Sequence, residues 1–152
     1  MVKIPQCLVI ADDLTGGNAT GVLLAKMGYK AHSILNRELT PDRGALSHCD
    51  CLIITTDSRA LTQKEAYSRV KHAAKIFRTD DTKLFSKRID STLRGNLGTE
   101  TDAMLDSLSE DYIAVCAPCF PSSGRTLVGG YLLVDGLPLH KTNIAIDPKT
   151  PV

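Results

Sequence analysis

Short apolar runs that alternate with helical periodicity are the feature that most restricts how this chain can fold. Two runs, Cys7–Ala11 and Cys51–Thr55, are almost entirely apolar, which is typical of strands covered on both faces of a sheet. Further strands are predicted at Lys30–Leu35, Lys83–Ser86 and Ile113–Ala117. Because strands that alternate with helices pair through crossover connections, the pattern predicts an α/β fold with a mostly parallel sheet flanked by helices.

Three helices are predicted between these strands from apolar residues at helical spacing. They cover Ala19–Met27, Thr62–Phe77 and Leu97–Leu108. The second begins with a capping box, in which Thr62 supplies the hydroxyl and Glu65 the carboxylate. Residues 36–48 are polar and are predicted to form a loop or a short helix. Near the C-terminus, Tyr131–Leu139 predicts a β-hairpin that turns at Asp135–Gly136.

Polar residues cluster where four of the predicted strands end. The clusters are Asp12–Asp13, Asp57–Arg59, Lys87–Arg94 and Pro118–Arg125. Since the carboxyl ends of parallel strands meet at one edge of a sheet, the clusters predict a site for a small polar ligand there. Adjacent residues of an extended chain point in opposite directions, so at most one of Asp12 and Asp13 is expected to face the ligand. The other is expected to cap the following helix.

The chemistry of these clusters suits a small, hydroxylated carboxylic acid. Guanidinium and ammonium groups can hold its carboxylate, and a carboxylate such as Asp13 can accept hydrogen bonds from hydroxyls or take a proton from one. The plainer alternative is loop structure, with Asp12 as a cap, Asp90 paired with Arg94, and Ser91 in a local turn.

Several well-known sites do not fit the sequence. Gly16 and Gly21 have the glycine spacing of a phosphate loop, but Val22 and Leu23 follow where Lys and Ser or Thr are required. The glycine fingerprint of dinucleotide sites and the nucleophile elbow of serine hydrolases are also absent. Cys116–Cys119 has the CxxC spacing of a redox pair or half a zinc site. A loop pattern follows it, however, and no second ligand pair exists.

The sequence predicts a protein of the cytoplasm without a nucleic-acid or membrane partner. The chain has 152 residues and a net charge of +1 with dispersed charges, which argues against a nucleic-acid partner. No apolar run approaches the roughly 20 residues that a membrane helix needs. The segment before Cys7 is short and polar, unlike a signal peptide, and the five cysteines are expected to be free thiols.

Four motifs in order resemble the four-carbon acid sugar kinase family, once catalogued as a domain of unknown function and sometimes labelled a type III effector. The motifs are Ala11–Gly16, Thr56–Arg59, Lys87–Asn96, and Ala117–Pro121 with Gly124–Thr126 and Gly129–Tyr131. Family members are ATP-dependent kinases that act on threonate, erythronate or oxo-tetronate. The resemblance implies an N-terminal sugar-acid-binding domain followed by a nucleotide-binding domain.

Residues 1–152 would then be an incomplete N-terminal domain without the nucleotide-binding half. ATP and Mg²⁺ would serve the full-length enzyme, whereas this chain alone is expected to hold no cofactor and to be inactive. Its partners would be a sugar acid and either the missing domain or a second copy of the chain. An alternative is a non-catalytic ligand sensor or effector of the same fold. This is favoured by Ala19, where the family usually has an acidic residue.

On this hypothesis we assign the residues of the site by their chemistry. The substrate carboxylate is assigned to Arg59, Lys87 and Arg94, and the hydroxyls to Asp12, Asp13, Ser58, Asp90 and Ser91. Asp13 is the candidate catalytic base, and no metal ligands are assigned.

Overall fold

A computed structural model describes residues 5–35, 46 and 48–151. Its centre is a four-stranded parallel sheet with the order β2-β3-β1-β4. The strands are β1 (Cys7–Ala11), β2 (Ala31–Ile34), β3 (Cys51–Thr55) and β4 (Leu84–Arg88). Strand β1 pairs in register with both neighbours, so that Ala11 lies opposite Thr55 on one side and Arg88 on the other. Three strands therefore end side by side, which confirms the predicted parallel sheet.

In the described part of the chain, three α-helices cover the two faces of this sheet. They are α1 (Leu14–Lys26), α2 (Gln63–Phe77) and α3 (Leu97–Leu105). The predicted capping box is present, since the Thr62 hydroxyl accepts from the Glu65 N–H and the Glu65 carboxylate accepts from the Thr62 N–H. No helix in the described ranges combines the length and the apolar character needed to cross a membrane.

Side chains of the central strands alternate between two cores. Leu8, Ile10, Leu52 and Ile54 pack with α2 and α3, whereas Cys7, Val9, Cys51 and Ile53 pack with Leu24 of α1. Because successive residues of a strand point to opposite faces, a strand buried on both faces must be apolar throughout. This explains why the two longest apolar runs became the two central strands.

The C-terminal third forms a small antiparallel sheet. Its strands are β5 (Arg125–Val128), β6 (Tyr131–Val134) and β7 (Leu137–Pro138). The predicted hairpin is confirmed as β6–β7, and its turn has positive φ angles of 50° at Asp135 and 81° at Gly136. Strand β5 was not predicted. It joins β6 through Gly129–Gly130, which also have positive φ.

The prediction of a strand at Ile113–Ala117 is wrong. Residues 112–119 pair with no strand among the described residues, and Ile113 and Val115 are 85% and 86% exposed. The apolar, β-branched composition gives this segment strand propensity, but a strand exists only where a neighbour supplies its hydrogen bonds. The prediction for residues 36–48 lies mostly outside the described residues.

We expect Leu52→Ala to lower the free energy of unfolding by roughly 3 kcal/mol, because it leaves a cavity in the core. Leu52 is 1% exposed, whereas Leu137 is 56% exposed, so Leu137→Ala is a matched control with little expected effect. Urea unfolding followed by circular dichroism measures both changes. Equal losses for the two variants would contradict this placement of the core.

Candidate functional site

The candidate site lies at the carboxyl edge of the parallel sheet. Asp12 and Asp13 follow β1, Ser58 and Arg59 follow β3, and the segment Ile89–Asn96 follows β4. Because β1, β3 and β4 end in register, these three loops are brought together. The sheet geometry therefore produces the convergence of acidic and basic side chains that the sequence predicted.

Arg59 is the side chain that joins the first two loops. Its Nε lies 2.7 Å from Asp12 Oδ2 and its Nη2 lies 3.2 Å from Asp12 Oδ1, which is a bidentate pair. Its Nη1 lies 2.7 Å from Asp13 Oδ2. The Asp12 side chain is 3% exposed and that of Asp13 is 26% exposed, so Asp13 is the one that a ligand can reach.

Asp13 also caps α1. The sequence predicted that one of the two carboxylates would cap this helix and the other would face the ligand, but Asp13 is both the cap and the more exposed of the two. Asp13 Oδ1 accepts from the Gly16 N–H at 2.7 Å, while Asp12 is committed to Arg59. A Cβ atom at Gly16 would lie 2.7 Å from that same Asp13 oxygen. Glycine at this position therefore leaves room for the cap, and the cap fixes the orientation of Asp13.

Asp90 is the anchor of the third loop. It accepts from Arg94 Nε at 2.7 Å and from Arg94 Nη2 at 3.2 Å, and the Thr92 hydroxyl donates to it at 2.5 Å. Arg59 Nη2 lies 3.9 Å from Asp90 Oδ1, which connects this loop to the other two. Asp13, Arg59, Asp90 and Arg94 thus belong to one continuous network of charges.

The pKa of Asp90 is lowered from 3.8 to about 2. Burial acts in the opposite direction and would raise it, but hydrogen bonds from Arg94 and Thr92, together with the charges of Arg59 and Arg94, outweigh burial. Asp90 is therefore ionised at neutral pH.

Further contacts that the sequence did not predict hold the loops in position. Asn96 donates to the carbonyls of Ser58 and Leu61, and Asp147 accepts from Arg94 Nη1 at 3.1 Å. Gly95 has a φ of 98°, and a Cβ there would lie 3.1 Å from Arg59 Cγ. The glycine that follows Arg94 in the sequence is typical of a position where another part of the chain, here Arg59, comes close to the backbone.

Lys87 is placed differently from the two arginines. Its Nζ lies 2.6 Å from Glu100 Oε2 and donates to the Arg88 carbonyl at 3.0 Å, with both side chains buried. Glu100 Oε1 is buried and has no hydrogen-bond partner in the described structure. Glu100 lies on the buried face of α3, which is otherwise apolar. Since a buried glutamate is normally paired, its position in the sequence could have predicted a cationic partner.

The two serines assigned to the site occupy different environments. Ser58 is fully buried behind Arg59, and its hydroxyl lies 2.8 Å from that of Thr56. Ser91 lines a cavity of about 440 Å³ between α1, β4, α3 and residues 112–120. Lys87 and Arg88 also line this cavity, together with apolar side chains such as Phe85 and Phe120.

The cysteines are all free thiols. Cys116 and Cys119 are exposed on the segment along the cavity wall, and neither opens a helix. Cys7, Cys49 and Cys51 are buried, and burial raises the pKa of the Cys7 thiol to about 11. A thiol with so high a pKa is a poor nucleophile at neutral pH.

A family model described as a sugar-binding N-terminal domain matches residues 7–152. The chain belongs to this family. A D-erythronate kinase of Heliobacterium modesticaldum is 56% identical over 95% of this chain and 33% of its own length. A D-threonate kinase of Salmonella typhimurium is 44% identical over 97% of this chain and 34% of its own length. The resemblance to four-carbon acid sugar kinases is thus confirmed, and the chain spans about a third of the curated relatives it matches.

A solved structure from Bordetella bronchiseptica has the same fold. It is 34% identical to this chain with a TM-score of 0.89, over 98% of this chain and 38% of its own. It is described as a domain of unknown function, a domain-swapped dimer with bound citrate.

We expect Asp90→Asn to remove part of the acid sensitivity of folding. A carboxyl whose pKa is lowered on folding stabilises the protein above its unfolded pKa, and this contribution is lost as the pH falls. For Asp90 the window runs from about pH 4 to about pH 2, and the contribution is about 2 kcal/mol. The wild type should therefore lose stability in this window more steeply than the variant, as measured by urea unfolding at each pH.

The matched control is Asp102→Asn, since Asp102 is an exposed carboxylate on α3. It should retain the wild-type dependence on pH. Parallel stability profiles for wild type and Asp90→Asn would show that Asp90 is not held ionised by its neighbours.

Proposed function

We propose that this chain binds four-carbon sugar acids such as D-erythronate and D-threonate, as the substrate-binding part of an ATP-dependent kinase. The observation that carries the proposal is the charge network of Asp12, Asp13, Arg59, Asp90 and Arg94. These five residues do not line the cavity of about 440 Å³, but their neighbours Arg88 and Ser91 do. The names of the relatives support it, since they are kinases of four-carbon acids. The citrate in the Bordetella structure, a hydroxylated carboxylic acid, is in keeping with it.

In the proposed site, acidic side chains receive the hydroxyls of the substrate. Asp13 is the most exposed of the three carboxylates that contact Arg59, and it is our candidate for accepting or removing a hydroxyl proton. Asp12 and Asp90 act mainly by holding the arginines, and Ser91 adds a hydroxyl on the cavity wall. The buried Ser58 contributes through the loop that it stabilises.

Arg59 and Arg94 retain donors for a ligand although both are paired. A guanidinium carries five N–H groups. Apart from the longer approach of Nη2 to Asp90 at 3.9 Å, the contacts of Arg59 use Nε–H and one N–H of each terminal nitrogen. Those of Arg94 use the same set. Lys87 has three N–H groups and uses two of them. Each of the three cations can therefore offer further hydrogen bonds to a polyhydroxy ligand.

Isothermal titration calorimetry with D-erythronate and D-threonate tests this function. We expect Asp13→Asn to weaken binding by about tenfold or more, because hydrogen bonds to a charged group are stronger than those to a neutral one. Asparagine is as good a helix cap as aspartate, so α1 should remain intact. Asp102→Asn is the control and should bind like the wild type.

The proposal fails if the folded wild-type chain binds none of these acids. Binding that is equally strong in wild type and Asp13→Asn would instead remove Asp13 from the site.

We also propose that residues 1–152 alone do not transfer phosphate. Their sequence contains no phosphate loop, and the relatives named as kinases are about three times as long. In the full-length enzymes ATP and Mg²⁺ would be held by the remainder of the protein. Incubation with D-erythronate, ATP and Mg²⁺ should therefore produce no ADP above the rate without sugar acid, and turnover that depends on the sugar acid would refute this proposal.

A further inference from the structure

We infer that Arg88, which was not among the residues assigned from the sequence, holds the carboxylate of the sugar acid while the hydroxyls of the ligand face Asp13. This inference rests on the proposed function and specifies the orientation of the substrate. It differs from the assignment of the carboxylate to Arg59, Lys87 and Arg94, and it follows from the way charge is distributed in the structure.

The charge network at the sheet edge contains more carboxylates than guanidinium groups. Arg59 and Arg94 are its two cations, and they are surrounded by the carboxylates of Asp12, Asp13, Asp90 and Asp147. An anionic group brought to this network meets a net negative charge, whereas a neutral hydroxyl meets good acceptors. The network is therefore suited to the hydroxyl end of a sugar acid.

Lys87 does not supply the missing positive charge. Its ammonium lies 2.6 Å from Glu100 Oε2, and both side chains are buried. A buried pair with this geometry is neutral as a unit, so its attraction for a distant carboxylate is weak. A free cation for the ligand must come from elsewhere.

Arg88 has the required properties. It is the last residue of β4, it is half-buried, and it lines the cavity. Its guanidinium makes no ion pair or hydrogen bond with any residue in the described part of the chain. A partly buried guanidinium that forms no ion pair or hydrogen bond loses hydration without full compensation, and a bidentate carboxylate would relieve this cost.

The position of Arg88 also brings it close to Asp13. The Cβ position of Gly16 would lie 3.5 Å from Arg88 Cζ and 2.7 Å from Asp13 Oδ1, so the two side chains flank this glycine. Because both side chains lie within 4 Å of this one position, a four-carbon acid is long enough to place its carboxylate on Arg88 and a hydroxyl on Asp13. The cavity wall and the charge network thus meet at the glycine.

Arg88 also lies close to the N-terminus of α1. The guanidinium lies beside the first turn of this helix, where the helix dipole disfavours a cation. An anionic ligand on Arg88 would be attracted by the guanidinium and by the helix dipole together.

A comparison of two ligands on two proteins tests the assignment. D-erythronate carries the carboxylate, and D-erythronamide replaces it with a neutral amide of similar shape. We expect Arg88→Gln to weaken D-erythronate binding by roughly 10- to 100-fold and to leave D-erythronamide binding nearly unchanged. The wild type should prefer the acid, and Arg88→Gln should lose that preference, as measured by calorimetry.

Two further variants complete the design. Arg88→Lys keeps the charge but not the bidentate geometry, and should recover part of the preference for the acid. Lys75→Gln removes an exposed cation on α2 and should behave like the wild type. Thermal melts identify any variant that fails to fold.

The outcomes separate this inference from the proposed function. If wild type and Arg88→Gln discriminate equally between acid and amide, the carboxylate binds elsewhere and the inference is wrong, while the proposed function stands. If the wild type binds no sugar acid at all, the proposed function fails and the inference fails with it.

Discussion

The ion pairs of Arg59 hold the carboxyl edge of the sheet together. Asp12 and Asp13 follow β1 and Asp90 follows β4, so parallel pairing alone would leave three carboxylates close to one another. Arg59, which follows β3, contacts all three at 2.7 to 3.9 Å. Because like charges in a partly buried site repel strongly, the loops can converge only around such a cation.

This network contributes more to the arrangement of the site than to the stability of the fold. Desolvation offsets much of the Coulomb energy of partly buried ion pairs, so the network as a whole adds less to stability than its individual contacts suggest. Their value lies in fixing geometry: the side chains of Asp12, Arg59 and Asp90 are oriented before any ligand arrives. A site organised in advance loses less conformational entropy when it binds.

Much of the fold follows from the sequence because it depends on local pattern. The runs Cys7–Ala11 and Cys51–Thr55 and the capping box at Thr62 each have a physical signature within a few residues. The convergence of the loops follows from parallel pairing. The Asp90–Arg94 pair is local and was among the alternatives drawn from the sequence. The sequence could not reveal the long-range pairs, since Glu100 and Asp147 reach Lys87 and Arg94 only in three dimensions. The wrong prediction of a strand at Ile113–Ala117 also reflects a long-range contact that a local pattern does not contain. The segment has strand propensity, but no described strand pairs with it.

The segment Ile113–Ala117 lines the cavity together with β4, and its Ile113 and Val115 are largely exposed. No strand among the described residues pairs with this segment, so one wall of the cavity lacks the backbone hydrogen bonds that fix β4 in the sheet. The width of the cavity can therefore change while the parallel sheet and its register stay intact. A molecule held in the cavity would shift the equilibrium towards the position of this wall that it contacts best.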